Sequence, residues 1–472
     1  MVPSDEEHNG SNRELGYGRS SSPIARLPPE ILQGIFEMCC QTNGLHWKDW
    51  NTPALVLSLV SVLWRDIALS TSSLWSSLTI DLASCSGRRY HALSCITQLF
   101  LDRSKKALLT LHLSLGIRQE PEREELSILD ALVQASCRWY DVTLRIQHQS
   151  QIGHPVFRPI QGNLPQLQRL AFLEHSWAHN PGFTTDLFSD CPSLSTLVIK
   201  PRSVITPAFS IPWQQIKTLR LLRAWPTYAL PFVLLCPNID YLELKEVGMD
   251  DGVADEVSLD YSGARIYCRA KALSLYPNIA DEVDCIFRHA TFPNLSHLQI
   301  TYGDKFNWDD WNTQFISRCL VNSSCTILSL SFTSVPVRDE DMVQLLRLMP
   351  ELRTLELEEP PKCNWILTES FLAELHVDHD HLTPTPFLPK LADLKLVVNV
   401  NGFDQMAFSK AVASRCLKDV GVDCIQTVEV RFMGDDDGVA GEICTYNLRF
   451  LKDTAVRVFV SSLSSPTHRP HC

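Results

Sequence analysis

The chain has 472 residues, 45% of them apolar, which is ample for a buried core and excludes disorder of the chain as a whole. Asp and Glu number 54 against 42 Lys and Arg, a formal net charge of −12. With no clustered basic footprint, this composition argues against a protein that grips nucleic acid by its phosphates or docks on anionic lipid. No run reaches the ~20 apolar residues of a membrane-spanning helix. The best candidates, residues 54–64 and 230–236, are shorter. The acidic N-terminus lacks the apolar core of a secretory signal. Sixteen cysteines contain no Cys-x-x-Cys pair and read as reduced, mostly buried thiols in a cytoplasmic or nuclear protein.

Taken in chain order, residues 1–23 are rich in Ser, Gly, Asn and Glu and read as a disordered arm. Residues 24–82 read as a short helical domain. Pro28 and Pro29 open an apolar-periodic run, a helix start, with Glu30 in the first turn where the dipole favours it. Ile31, Leu32, Ile35, Phe36 and Cys39 form its stripe. A polar insert with two Trp follows over 41–52. After it come an apolar stretch from Pro53 to Ala68 and the close Leu74-Trp75-Ser-Ser-Leu78.

From residue 83 to 460 a frame recurs, Pro-x-Leu-x-x-Leu-x-Leu. Its clearest copies start at Pro165, Pro192, Pro237, Pro293, Pro350 and Pro389. The middle apolar positions are 170, 197, 219, 242, 273, 298, 328, 355, 375, 394 and 428, with steps of 19 to 34 residues. Leucine-rich repeats run ~20–29 residues, so most steps fit and a few imply insertions. Leu-x-Leu is a period-2 pattern that puts both leucines on one side of a short strand. The Pro stops a preceding helix. One such helix is legible before Pro350, where Met342, Leu345, Leu346 and Met349 share a face. Each unit is then helix, Pro, strand, and stacking the units predicts an α/β solenoid with a parallel sheet. Residues 461–472 read as a disordered tail.

The residues from Leu27 to Phe36, Leu57 to Ala68 and Leu74 to Leu78 resemble an F-box. Its pattern runs Leu-Pro-x-Glu-(Leu/Ile)-Leu-x-x-Ile-Phe, then Leu-Ser-x-Val-x-x-x-Trp-Arg-x-(Ile/Leu)-Ala, then Leu-Trp-x-x-Leu. Val62-Leu63 stand where the pattern has Cys-(Lys/Arg). The resemblance implies the substrate-recognition subunit of an SCF-type ubiquitin ligase, acting in ubiquitin-dependent protein degradation. Its F-box would bind the Skp adaptor, and through it a cullin scaffold, and its leucine-rich repeats would bind a target protein. By matched position, Leu27, Pro28, Ile31, Leu32, Ile35, Leu59, Val60 and Trp64 would meet the adaptor. The alternative is a repeat scaffold that binds protein without any link to ubiquitin.

No nucleotide, hydrolase or zinc-protease motif occurs, so the chain reads as a non-enzyme with no cofactor. The sequence from His376 to His381 imitates a metal site but reads as a solvated loop, as does Asp435–Gly438, which lacks calcium-loop spacing. In the solenoid, alternate strand residues line an inner, concave face: Ser195, Val198, Arg220, Glu243, Gln299, Ser329, Glu356, His376 and Lys395. Glu243, Gln299, Glu356 and Lys395 are the expected target-binding residues. The rival sites are inserted loops near 250–263 and 304–311.

Overall fold

The computed structural model describes residues 23–45, 50–85, 87–116, 123–146, 149–174, 185–200, 210–223, 226–247, 265–303, 311, 313–361, 363–379, 386–416, 422–434, 438–454 and 456–463. The arm, the loop at 250–263, most of that at 304–311, Asp380, His381 and the acidic run 435–437 lie outside them.

The Leu-x-Leu pairs become strands because each puts two apolar side chains on one face that a single unit cannot cover. Among the described residues sixteen strands join in one sheet, nearly in chain order. Every neighbouring pair in it is parallel except the first, Asn43–Leu45 with Trp50–Asn51. A separate short pair, Ile266–Tyr267 with Ala290–Thr291, lies outside this sheet. The protein is therefore an α/β solenoid of leucine-rich-repeat type.

The apolar positions stay in register along the stack, past irregularities at Leu109/Thr110 and Tyr276/Pro277. One column runs Leu170, Leu197, Leu219, Leu242, Leu273, Leu298, Leu330, Leu355, Leu394, Val428 and Val458. A second column two residues on includes Phe172, Leu244, Ile300, Phe332, Leu357 and Leu396. A backbone fork holds this register at many of the strand entrances. The Leu328 carbonyl accepts from the amides of Arg353 (2.8 Å) and Thr354 (3.0 Å), and the Arg353 carbonyl from those of Ala392 and Asp393 (both 2.9 Å). The same fork recurs at Lys217, Asp240, Lys271 and Ser296. It needs no particular side chain, so units of different length stack alike.

Helices pack on the column side. Helix Asp339–Arg347 buries Met342, Leu345 and Leu346, the face read from its spacing, with three acidic residues in its first turn. The segment before Pro192 differs from expectation: Asp186–Ser189 is a turn instead of a helix. The repeat centred on Leu375 is also corrected. Residues Glu369–Leu375 form a helix capped by the Thr368 hydroxyl, which accepts from the Phe371 amide at 3.2 Å. Phe371, Leu372 and Leu375 are all buried there, a spacing a helix satisfies as well as a strand does. His376 consequently leaves the strand face. Leu330, two residues beyond Leu328, takes the column position. The strand Arg457–Leu463 also carries the sheet through residues 461–463, because backbone pairing with Arg431, Phe432 and Met433 does not require apolar side chains.

The long unit between Leu355 and Leu394 is pinned by a buried cation. Arg415 is 1% exposed. Its guanidinium donates to the carbonyls of Leu375 (2.6 Å), Phe387 (2.7 Å) and Leu388 (3.0 Å). The first of these ends helix Glu369–Leu375, where a positive charge is favourable. Burial pushes the Arg415 pKa down to about 10, so it stays charged near neutrality. Glu359 answers it with opposite sign: its buried carboxylate accepts from the amides of Trp365 (2.9 Å), Ile366 (2.9 Å) and Leu367 (2.6 Å).

Leu355 and Leu394 are fully buried neighbours in one column, so Leu355→Ala and Leu394→Ala are each expected to cost ~2–5 kcal/mol. Glu356→Ala, on the opposite face, is expected to cost under ~0.5 kcal/mol. A denaturant titration in which Glu356→Ala matched Leu355→Ala would contradict the register. Glu282 gives a pH signature. Its carboxylate, in helix Ala280–His289, accepts from the Asn278 amide at 2.8 Å. Burial raises its pKa from 4.5 to about 7. The folded state thus binds this proton more tightly than the unfolded one. The associated stability is present below pH 4.5 and is lost as pH rises through about 7. Thermal midpoints of Glu282→Gln should fall less than those of the parent over that window.

Candidate functional site

Two surfaces stand out: a helical head and the open face of the sheet. The head consists of α1 (Pro29–Cys39), α2 (Pro53–Val60) and α3 (Val62–Ser70). Proline opens α1 and α2, where its missing N–H and fixed φ cost nothing. Ser61 caps α3 by accepting from the Trp64 amide at 3.2 Å. The three helices pack on one another. Their inner sides bury Leu32 and Phe36 from α1, Ala54 from α2, and Ile67 and Ala68 from α3.

The outer sides are apolar too. Ile31 is 53% exposed, Leu59 72%, Val60 56% and Val62 70%. Met38, Val56 and Leu63 are also exposed. Soluble surfaces rarely gather this many large apolar side chains without a partner. Among the positions matched to the F-box pattern, Pro28, Ile31, Leu59 and Val60 are exposed. Leu27, Ile35 and Trp64 are half-buried, packed on the core, and Trp64 meets the Phe36 ring at 4.9 Å. Leu32 is fully buried and faces inward. Met38, Val56, Val62 and Leu63 extend the exposed set beyond the motif. The sequence did not single these four out, since only packing tells an exposed apolar residue from a buried one.

The head is welded to the solenoid. The sheet begins inside the helical segment, at Asn43–Leu45, within the insert that read as polar loop, and its next strand is Ser77–Asp81. The boundary at residue 82 therefore does not coincide with the start of the sheet. Asn43 stands in the leucine column opposite Leu78 and is 0% exposed. Its side-chain amide donates to the carbonyls of Leu74 (2.9 Å) and Ser77 (3.1 Å), and its Oδ1 accepts from the Ala54 amide (3.3 Å), in the first turn of α2. Trp75 completes the joint. Its indole N–H donates to the Ala68 carbonyl at 2.7 Å, and its ring meets Phe100 edge-on at 5.0 Å. Phe100 belongs to helix Arg88–Ser104 of the next unit.

On the open face the strands bring the expected residues into one row. Val198, Arg220, Glu243, Ser274, Gln299, Ser331, Glu356, Lys395 and Glu429 occupy one register position on successive strands. Glu243, Gln299, Glu356 and Lys395 thus share one face, though they are separated in sequence by up to 152 residues (395 − 243). Ser329 lies in the adjacent row. Ser195 precedes its strand, Thr196–Ile199, and is outside both rows.

The middle of the row is a polar relay. Arg220 approaches Glu243 at 3.4 Å. The Tyr241 hydroxyl donates to Glu243 Oε2 at 2.9 Å and lies 3.1 Å from Ser274 Oγ. Ser274 in turn donates to Gln299 Oε1 at 3.2 Å. Burial raises the Tyr241 and Tyr276 pKa values, with the Glu243 charge adding to it. Nearer the head, Arg169 pairs with Asp141 at 2.7 Å, and burial lowers the pKa of His112. Tyr241, Ser274 and Tyr276 were not singled out in the sequence because tyrosine and serine at alternate strand positions carry no distinguishing pattern.

Among the described residues no group of three or more His, Cys, Asp and Glu is arranged to hold a metal ion. His379 of the metal-like stretch meets the Ser414 carbonyl at 2.7 Å instead.

The fold and its two surfaces define a leucine-rich-repeat-type solenoid with a helical head at one end. No family model matches the chain, and no curated protein does. Among solved structures an internalin from Listeria monocytogenes is similar at 10% identity, over 86% of this chain and 92% of that chain, with a TM-score of 0.23. A score that low carries nothing further to this chain.

Asn43→Ala is the sharpest test of the joint. It leaves the Ala54 amide and two carbonyls without partners, so it is expected to cost ~1–3 kcal/mol or more in a denaturant titration. Hydrogen exchange should rise first in residues 29–60, while protection at Leu355 and Leu394 is kept.

Proposed function

We propose that the chain is the substrate-recognition subunit of an SCF-type ubiquitin ligase. The exposed apolar face of α1, α2 and α3 docks the Skp adaptor, and the solenoid holds the target protein. The observation that carries this reading is the outer face of the head. A terminal cap of a repeat array needs a polar outer side to remain soluble. This one offers Ile31, Val56, Leu59, Val60, Val62 and Leu63 to solvent. Apolar anchors on short helices are how a helical hairpin docks on a partner's helices. Pro28, Ile31, Leu59 and Val60 make that contact, joined by the exposed edges of Leu27, Ile35 and Trp64. Leu32 supports them from inside.

In this reading the chain makes and breaks no bond and needs no cofactor. It contributes proximity, holding a target lysine near a charged conjugating enzyme. The target lies across the open face, against Glu243, Gln299, Glu356 and Lys395. The work is done where the ligase machinery resides, in the cytoplasm or nucleus.

A second reading is a protein-binding scaffold without ubiquitin, and one observation favours it. The head is continuous with the sheet through Asn43–Leu45, as a cap would be. The adaptor separates the two readings. Ile31→Asp with Leu59→Asp changes two exposed positions and should leave the thermal midpoint within a few degrees of the parent. Co-expressed Skp adaptor should purify with the parent and be lost from the double variant by at least ~100-fold in affinity, as expected when two anchors are removed. Adaptor that never purifies with the parent leaves the scaffold reading.

A further inference from the structure

The two ends of the sheet are finished differently. At one end Trp50–Asn51 and the head continue beyond the first parallel strands. At the other, Arg457–Leu463 is the outermost strand among the described residues. The Arg457 amide donates inward, to the Gln426 carbonyl at 2.8 Å. In a parallel ladder alternate residues bond to alternate sides, so Val458 and Val460 turn their N–H and C=O towards the open edge. Their side chains occupy the two apolar columns. All earlier members of those columns are buried, yet Val458 and Val460 remain half-exposed. A cleft of about 390 Å³ runs beside them, lined by Leu448, Leu451, Val458 and Val460 and by the cations Arg449 and Lys452. An adjoining cleft shares both cations and adds a single carboxylate, Glu442.

We propose that this edge binds an extended, acidic segment of a partner protein by strand addition. The partner's backbone pairs with Val458 and Val460. The side chains on one face of the added strand, every second residue, enter the cleft, where apolar ones meet Leu448 and Leu451 and carboxylates meet Arg449 and Lys452. Main-chain pairing supplies affinity and the cleft supplies side-chain selection, as in other strand-addition complexes. Charge decides the occupant. On a chain of net charge −12, the lining of this end is basic. Residues 464–472 contain no acidic residue, and Pro466 and Pro470 offer no N–H, so the chain's own C-terminal stretch does not complement it. A second copy would bring its own Arg449 and Lys452 against the first pair, and like charges oppose such contact. This surface is separate from the head and from the row containing Glu243, so the chain has a third place to hold a protein.

The test uses the full-length chain and a labelled, end-blocked heptapeptide Thr-Glu-Thr-Val-Thr-Glu-Thr, whose Glu and Val side chains share one face of a strand, with a Lys-for-Glu peptide as control, in fluorescence anisotropy. The acidic peptide should bind, the basic one should not, and added salt should weaken binding. Arg449→Glu with Lys452→Glu, both exposed positions, should weaken binding at least about tenfold. Val460→Pro removes an N–H that points only to the open edge, a position where proline is tolerated, and should abolish binding with the circular dichroism unchanged. If Val460→Pro fails to fold, the charge reversal alone decides. Equal binding of both peptides, or binding unmoved by the charge reversal, overturns the proposal. Peptide binding that appears only after residues 464–472 are deleted gives the edge to the chain's own tail and also overturns it. So does sedimentation showing a dimer that Val460→Pro dissolves, which gives the edge to a second copy.

Discussion

Everything in this molecule depends on the packing of one strand's two apolar side chains against the same two on the next. A unit of this chain has too little apolar area to fold alone, because its strand carries only two inward residues and its helix is short. Stacked in parallel, the pairs become continuous columns in which Leu355 touches Leu330 on one side and Leu394 on the other. Stability is then local and additive along the array. The backbone forks at the strand entrances from Thr196 to Thr427 keep the register without help from side chains. That freedom lets units vary widely in length, and it leaves the opposite face of every strand available for polar chemistry.

The same constraint explains the buried charges. Long insertions bring backbone into the interior without ladder partners, and those groups must still be satisfied. Arg415 and Glu359 do this from opposite directions, one donating to carbonyls and the other accepting from amides. Asn43 does it without charge at the joint between head and sheet. Each stands where a leucine-rich pattern by itself leaves polar backbone unpaired. Each ties a departure from the repeat to the regular array beside it.

The head and the solenoid are accordingly one body in packing and two in surface character. Trp75 and Asn43 make the joint rigid, so a partner held on the apolar face of α1, α2 and α3 is held at a fixed place relative to the open face of the sheet. In the proposed function, that arrangement would let the chain present one protein to another. It follows from the Asn43–Leu45 strand, which turns an attached helical segment into the first layer of the array.

The sequence by itself determined the repeat, its parallel sheet and the row in which Glu243, Gln299, Glu356 and Lys395 lie, because a period of two states which residues share a face wherever strands stack in register. It also determined that residues 24–82 form a helical segment, through Pro28, Pro29 and the apolar spacing, but not the break at Ser61 that divides Pro53–Ser70 into two helices. Only the tertiary structure decided which apolar residues of the head remain in solvent: Leu32 and Ile31 are adjacent and equally apolar, and packing alone separates them. Tertiary context likewise made a helix of Glu369–Leu375, whose apolar spacing fits either period. It made a strand of Asn43–Leu45, whose only signal is an asparagine that finds its partners 11 to 34 residues away. It also decided the open edge at Arg457–Leu463. Period and spacing describe what one element offers, and burial depends on what another element, distant in the chain, is there to cover.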